Sequence, residues 1–386
     1  MNIREDVVHV FKQKFADDPI VVRSPGRVNI IGEHTDYNNG FVLPGAIDKS
    51  VYVAVSLRTN KEIHLYAHDL QESFIISIED LKPTAGLMWP NYILGAAAQL
   101  HKKGIPLKGF NMVLTSDLPI GAGLSSSAAI ECATLFALNH LLQADLSKID
   151  MVKMAQQAEH EYAGVMCGIM DQFASMMGKK NHVLKLDCRS LSYEYVPFNM
   201  EGVKILLLNT NVKHSLATSE YNTRNAECKK AVALVNEHHS EVNDLRDATM
   251  HMLNNYVLPK DKLVYNRSAF VVREIDRLLQ GCEDLKRGDL QALGQKMFET
   301  HKGLSEQYEV SCKELDWLVD AVKTNDAVIG SRMMGGGFGG CTISLVTANA
   351  IEPLVAALQP AYEAAMHMPL DYYVVTIEDG TELIYA

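Results

Sequence analysis

Twelve residues, Leu118-Pro-Ile-Gly-Ala-Gly-Leu-Ser-Ser-Ser-Ala-Ala129, constrain this chain more than any other stretch. They lie between a β-type run, Phe110 to Ser116, and a helical pattern in which Ala128, Cys132, Leu135, Leu138 and Leu142 recur at spacings of three and four. Gly121 and Gly123 allow a tight backbone approach, and three serines stand where the helix begins. Unpaired amides and the positive end of the helix dipole favour an anion there. Two readings stay open from the loop alone: it wraps a phosphate, or Ser125 to Ser127 cap the helix.

Better-known phosphate motifs do not fit. A Walker A loop needs Gly-Lys-Ser or Gly-Lys-Thr, and Gly178-Lys179 is followed by Lys180. Gly121-Ala-Gly-Leu-Ser-Ser126 has serine where a dinucleotide fingerprint needs its third glycine. Gly335-Gly-Gly-Phe-Gly-Gly340 satisfies that spacing but precedes Cys341-Thr-Ile-Ser-Leu-Val, a β-type run where a helix is required. Five glycines in six residues are entropically costly unless the backbone needs them, so this turn is expected to lie against something bulky. The protein-kinase signatures H-R-D and D-F-G are missing.

The 386 residues carry a formal net charge of -11, which disfavours nonspecific binding to nucleic acid or acidic membranes. An anionic ligand must therefore be held by local donors. Hydrophobic residues make up 47% and charged residues 22%, a globular composition. Apolar runs such as Ile205-Leu-Leu-Leu208 fall far short of the ~20 residues that cross a bilayer. Met1 to Val10 holds Arg4, Glu5 and Asp6 and lacks the pattern of a secretory signal, so a cytoplasmic location is expected. Seven scattered cysteines never form C-x-x-C, which argues against a disulfide framework or a zinc site.

Short β-type runs dominate early: Ile20–Val22, Ser50–Leu57, Glu62–His68, Ser73–Ile78 and Phe110–Ser116. A second helical pattern, Met151, Ala155, Ala158 and Tyr162, follows the first. Lys204–Asn209 opens a more helical half, and Thr342–Thr347 and Tyr372–Ile377 read as closing strands. Helices and strands in runs, without steady alternation, predict an α+β fold. The expected division is 1–200 and 201–386, with the final strands free to return to the first part.

Arg23-Ser-Pro-Gly-Arg-Val-Asn-Ile-Ile-Gly-Glu-His-Thr-Asp-Tyr-Asn-Asn-Gly40 reads as a loop gathering Arg27, Glu33, His34, Asp36 and Asn38 among glycines. Donors and acceptors at this density suit vicinal hydroxyls, hence a polyol or sugar. A solvated turn rich in Asp, Asn and Gly is the alternative. Zinc does not fit: His34 lacks spaced partners, and His160-Glu161 fails H-E-x-x-H because position 164 is glycine.

Taken together, the three stretches resemble the galactokinases of the GHMP small-molecule kinase superfamily. Pro25 to Pro44 resembles the galactokinase signature, Gly121 to Ala128 the superfamily phosphate loop, and Met334 to Cys341 its third motif. The resemblance implies a two-domain α+β kinase, ribosomal-protein-like in its first domain and ferredoxin-like in its second, with the active site between them. It implies ATP-dependent phosphorylation of the 1-hydroxyl of α-D-galactose, the first phosphorylation of galactose catabolism. Galactose and MgATP are then the partners, with no nucleic acid and no membrane, and a monomer suffices.

Position by position, Gly121, Ala122, Gly123, Leu124, Ser125, Ser126 and Ser127 would wrap the ATP phosphates, and Ser127 and Glu159 would hold Mg²⁺. Glu159 lies four residues from both Ala155 and Ala163, where an unpaired carboxylate is expensive and a hard cation resolves it. Asp171 in Gly168-Ile-Met-Asp-Gln matches the family's catalytic base, and Arg27 the arginine that favours its ionised form. Glu33, His34, Thr35, Asp36, Gly168 and Tyr221 would contact the sugar. Trp89 and Tyr92 match adenine-side aromatics, although Pro90 replaces a small residue. Competing readings are a sister kinase for another polyol, such as N-acetylgalactosamine, a non-catalytic sensor, and an NAD oxidoreductase. The intact Ser125–Ala128 run, Glu159 and Asp171 argue against the sensor.

Overall fold

The computed structural model describes residues 3–86, 88–119, 121–198, 200–212 and 217–385, the side chains of 217–219 excepted. Ile120 of the glycine-serine stretch lies outside the described residues. In chain order, α1 (Ile3–Phe15) precedes β1 (Ile20–Asn29), β2 (Phe41–Val42), β3 (Pro44–Leu57), β4 (Glu62–Ala67) and β5 (Glu72–Ser77). Next come α2 (Trp89–Lys102), β6 (Phe110–Ser116), α3 (Ser126–Leu142), α4 (Lys148–Ala158), a π-helical turn over Glu159–Ala163, and α5 (Met170–Met177). β7 (His182–Asp187), β8 (Tyr193–Pro197) and β9 (Val203–Asn209) lead to α6 (Ala217–Asn236), α7 (Met250–Met252), α8 (Lys262–Lys286), α9 (Leu290–Glu306) and α10 (Lys313–Val322). The chain closes with β10 (Val328–Met333), β11 (Cys341–Thr347), α11 (Ile351–Met366), β12 (Asp371–Val375) and β13 (Glu382–Tyr385).

The strands form a six-stranded sheet in the order β13-β1-β3-β6-β4-β5, a four-stranded sheet β10-β11-β9-β12, and a three-stranded sheet β2-β7-β8. Pairing is antiparallel except between β4 and β6. This is an α+β fold, as the run-wise distribution of elements predicts. One expectation changes: β1 does not stop at Val22 but runs to Asn29, so the first part of the polar stretch is strand and not loop. The register shifts between Pro25 and Arg27, and such a bulge accommodates proline while re-aiming the side chain that follows it.

α3 is apolar on nearly every side and buried accordingly, packed on β1, β3, α2, α4 and α5. The largest core runs from Val22 through α3 to Cys341 and Ile377, so both ends of the chain share it. Opposite, α9 lies against β10 so closely that a Cβ on Gly294 would stand 1.9 Å from the Ile329 carbonyl oxygen. The C-terminal end of β1, the N-termini of α3 and α5, the π turn and the loop after β10 converge on one place.

Candidate active site

The bulge in β1 aims Arg27 at the N-terminus of α5. Its Nε and Nη2 donate to Asp171 Oδ1 and Oδ2 at 2.7 and 2.8 Å, a two-pronged grip, while Nη1 donates to the Gly123 carbonyl at 2.7 Å. The Arg27 amide also donates to the Leu124 carbonyl, pinning the glycine-serine loop to the strand. Burial works against the Arg27 charge, but the Asp171 carboxylate outweighs it and holds the guanidinium above its ordinary value. Asp171 sits in the first turn of α5, where the helix dipole favours a carboxylate.

The serine run does not cap its helix. Ser125, at the N-cap, has φ +59° and makes no side-chain capping bond; its hydroxyl donates instead to Asp171 Oδ2 at 2.5 Å. Ser127 donates to Glu159 Oε1 at 2.8 Å. Serines that could have satisfied the helix end serve two acids, and the amides of that end are left to a ligand. Gly121 and Gly123 take φ of +76° and +73°, which the tight turn requires.

Glu159 opens the π turn, a feature that often marks functional sites. It is buried, and Gln172 Nε2 donates to its Oε2 at 2.6 Å and to Glu131 Oε2 at 3.3 Å. Burial, then the Asp171 charge, pushes Glu159 up to about 7, and burial with Glu159 pushes the fully buried Glu131 well above the usual carboxylate range. These acidic oxygen donors have no ion pair among the described residues and fit a hard divalent ion, whose charge would offset the cost of ionising them in a buried site.

On the other wall, Glu33 Oε1 accepts from Arg332 Nη1 at 3.0 Å and from the Gly335 amide at 2.9 Å. Arg332 is fully buried in β10 and also donates to the Asn29, Ile30 and Met333 carbonyls. Asp36 lies so close to Gly168 that a Cβ there would stand 1.8 Å from its Oδ2; burial, then the Asp171 charge, pushes Asp36 up to about 7. His34, in the left-handed region at φ +62°, sets Nδ1 2.8 Å from Tyr37 Oη, and burial pushes its ring down to about 4. Tyr221, from α6, lies with its ring centre 5.6 Å from that of His34.

Arg27, Glu33, His34, Asp36, Glu159, Gly168, Asp171 and Tyr221 line a single cavity of about 190 Å³, closed by Gly335 and Gly336 of the third motif. The phosphate-loop residues 121–127 do not line this cavity but meet it through Ser125 on Asp171 and Ser127 on Glu159, and two further expected residues stand apart. Thr35 is fully buried, its hydroxyl donating within its own loop to the Gly32 and Phe41 carbonyls, so its side chain braces the loop and does not face the cavity. Trp89 is 8% exposed in the core and its indole N–H donates to Glu72 at 2.8 Å, which leaves only an edge for a nucleobase. Sequence reasoning missed Arg332, Gln172, Tyr37 and Tyr308. Arg332 alone carried a signal: an arginine in an apolar strand run, Val-Ile-Gly-Ser-Arg-Met-Met, needs a buried partner.

The cavity thus sets the Arg27–Asp171 pair among further carboxylates, a histidine and a tyrosine, and through Ser125 and Ser127 it adjoins the N-terminus of α3. The chain also has known relatives. Residues 9–57 match the galactokinase galactose-binding signature, 91–179 the GHMP kinases N terminal domain and 283–364 the GHMP kinases C terminal family. A galactokinase of Thermotoga neapolitana is 38% identical over 363 residues, 94% of this chain and 99% of its own length. One from Chloroflexus aurantiacus is 40% identical over 379 residues, 97% and 96% of the two chains. The crystal structure of Lactococcus lactis galactokinase complexed with galactose superposes with a TM-score of 0.94 at 31% identity, covering 99% of this chain and 100% of that one. Methanococcus jannaschii mevalonate kinase, at 20% identity and a TM-score of 0.65 over 94% and 99%, shares the fold. With relatives matched along nearly their whole length, this chain belongs to the galactokinase family of the GHMP kinases.

Proposed function

We propose that the chain transfers the terminal phosphoryl group of ATP to the 1-hydroxyl of α-D-galactose, with Asp171 at the reacting hydroxyl. The observation that carries this assignment is the three-point hold on Asp171 by Arg27 and Ser125, at a cavity lined by Glu33, His34 and Asp36, with Ser125 itself part of the glycine-serine loop. Held and oriented by Arg27 and Ser125, Asp171 accepts the 1-hydroxyl proton as that oxygen meets the γ-phosphorus. A carboxylate paired to arginine is a weak base, so alignment of the attacking oxygen and the fixed positive charge of Arg27 supply most of the acceleration.

Residues 121 to 127 bind the phosphates through backbone amides. Mg²⁺ would be held by Ser127 and Glu159, where it neutralises charge on the transferring group. Glu33, His34, Asp36, Gly168 and Tyr221 bind the hydroxyls, Thr35 by way of its backbone loop, and the Trp89 edge faces the base. The division of the chain near residue 200, a monomeric state and a cytoplasmic location complete the reading; the last is supported by seven unpaired cysteines.

Release of ADP from MgATP on adding galactose, followed in a coupled assay, tests the activity; a panel of sugars including N-acetylgalactosamine tests the acceptor. Asp171→Asn is expected to keep the fold and nucleotide binding while losing on the order of 10² to 10⁴ in kcat. Parental turnover in that variant would remove Asp171 from the chemistry.

A further inference from the structure

Behind the sugar wall runs a buried chain of hydrogen-bonding groups that the phosphoryl transfer itself does not use. Cys228 Sγ in α6 lies 3.3 Å from Tyr308 Oη, just after α9; Tyr308 Oη lies 2.7 Å from Tyr37 Oη; and Tyr37 Oη lies 2.8 Å from His34 Nδ1. His34 Nε2, at the end of the chain, is buried, lines the cavity and has no hydrogen-bond partner among the described residues. We infer that Cys228, Tyr308 and Tyr37 are positioning residues that fix His34 as the tautomer with its hydrogen on Nε2, making it a hydrogen-bond donor to a sugar oxygen.

The argument is a count of hydrogens. The thiol, the two phenols and a neutral imidazole bring one each, and the contacts that join them use all but one. All four are present at neutral pH, because burial lifts both tyrosines and Cys228 above their ordinary ranges and lowers His34 to about 4. A spare hydrogen on Cys228 would meet the Asn38 side-chain amide, itself a donor to that sulfur at 3.6 Å. On Tyr308 or Tyr37 it would have no further acceptor among the described residues. On His34 Nε2 it sits on a ring that lines the cavity, at an atom with no partner among the described residues. The thiol then donates to Tyr308, Tyr308 to Tyr37 and Tyr37 to Nδ1.

That Nε2 serves a sugar rests on the proposed function, whereas the tautomer does not. In the ligand-free full chain labelled with ¹⁵N-histidine, with His34→Gln identifying the signal, Nε2 should be the protonated and Nδ1 the bare nitrogen at pH 7.5. A hydrogen on Nδ1 overturns the inference whatever the chain phosphorylates. For the sugar, Cys228→Ala and Tyr308→Phe should each raise the galactose KM roughly 5–10-fold, with kcat and the MgATP KM within twofold of the parent. Cys228→Ser, which keeps a donor, should behave as the parent. Parental galactose KM in a Cys228→Ala protein of unchanged melting temperature would also overturn it.

Discussion

Gly168 and Asp36 share a space that admits no side chain. With a Cβ placed 1.8 Å from Asp36 Oδ2, the alanine variant must push that carboxylate aside or shift the segment before α5. Gly168→Ala is therefore expected to raise the galactose KM by roughly 10- to 100-fold, because a misplaced acceptor loses its hydrogen bonds, while the MgATP KM moves little. Steady-state kinetics in both substrates check this. At this scale the family resemblance picked out residues that the fold does bring together, Arg27 with Asp171 and Ser127 with Glu159. The sequence was not legible at Arg332, whose partner Glu33 lies 299 positions away and whose meaning appears only when β10 meets the end of β1. Trp89 shows a different limit: an aromatic at a helix start reads the same however deeply it packs, and here it is mostly buried with its indole N–H on Glu72.

The Arg332–Glu33 pair is also what ties one element to another. It joins β10, the sugar loop and the third glycine motif through one buried guanidinium, whose donors are spent on Glu33 and three backbone carbonyls. Arg332→Met leaves Glu33 buried without its cation, an arrangement expected to cost about 3–5 kcal/mol. Adding Glu33→Gln should recover part of that loss, so urea unfolding of the double variant should show less destabilisation than the two single variants sum to. β-type runs read β4, β6, β9 and β11 to within a residue at each end, and helical spacing found α3, whereas β3 begins at Pro44, six residues before the Ser50 expected. The π turn after α4 escaped it. Apolar residues through Tyr162 continue a helical spacing, and nothing in that spacing marks the wider turn that Glu159 opens.

For the whole molecule, the cavity's consequence is electrostatic. The protein closes both ends of its chain around one core and holds two acids at the cleft, Asp36 and Glu159, that have no ion pair among the described residues. Asp36 shows the effect away from the proposed cation ligands: burial, then the Asp171 charge, raises it from 3.8 to about 7 in the folded chain. Between those values the folded state binds the extra proton, so stability falls as pH rises through that window and the full penalty stands above it. An asparagine cannot titrate. Asp36→Asn should thus gain stability over the parent from pH 5 to pH 8 by about 2–3 kcal/mol in ligand-free urea unfolding, while its galactose KM rises. If parent and variant kept the same stability difference at both pH values, Asp36 would be titrating as an ordinary exposed carboxylate. The gain and the loss would come from one cause: the desolvation that raises Asp36 would also strengthen a hydrogen bond between it and a bound hydroxyl.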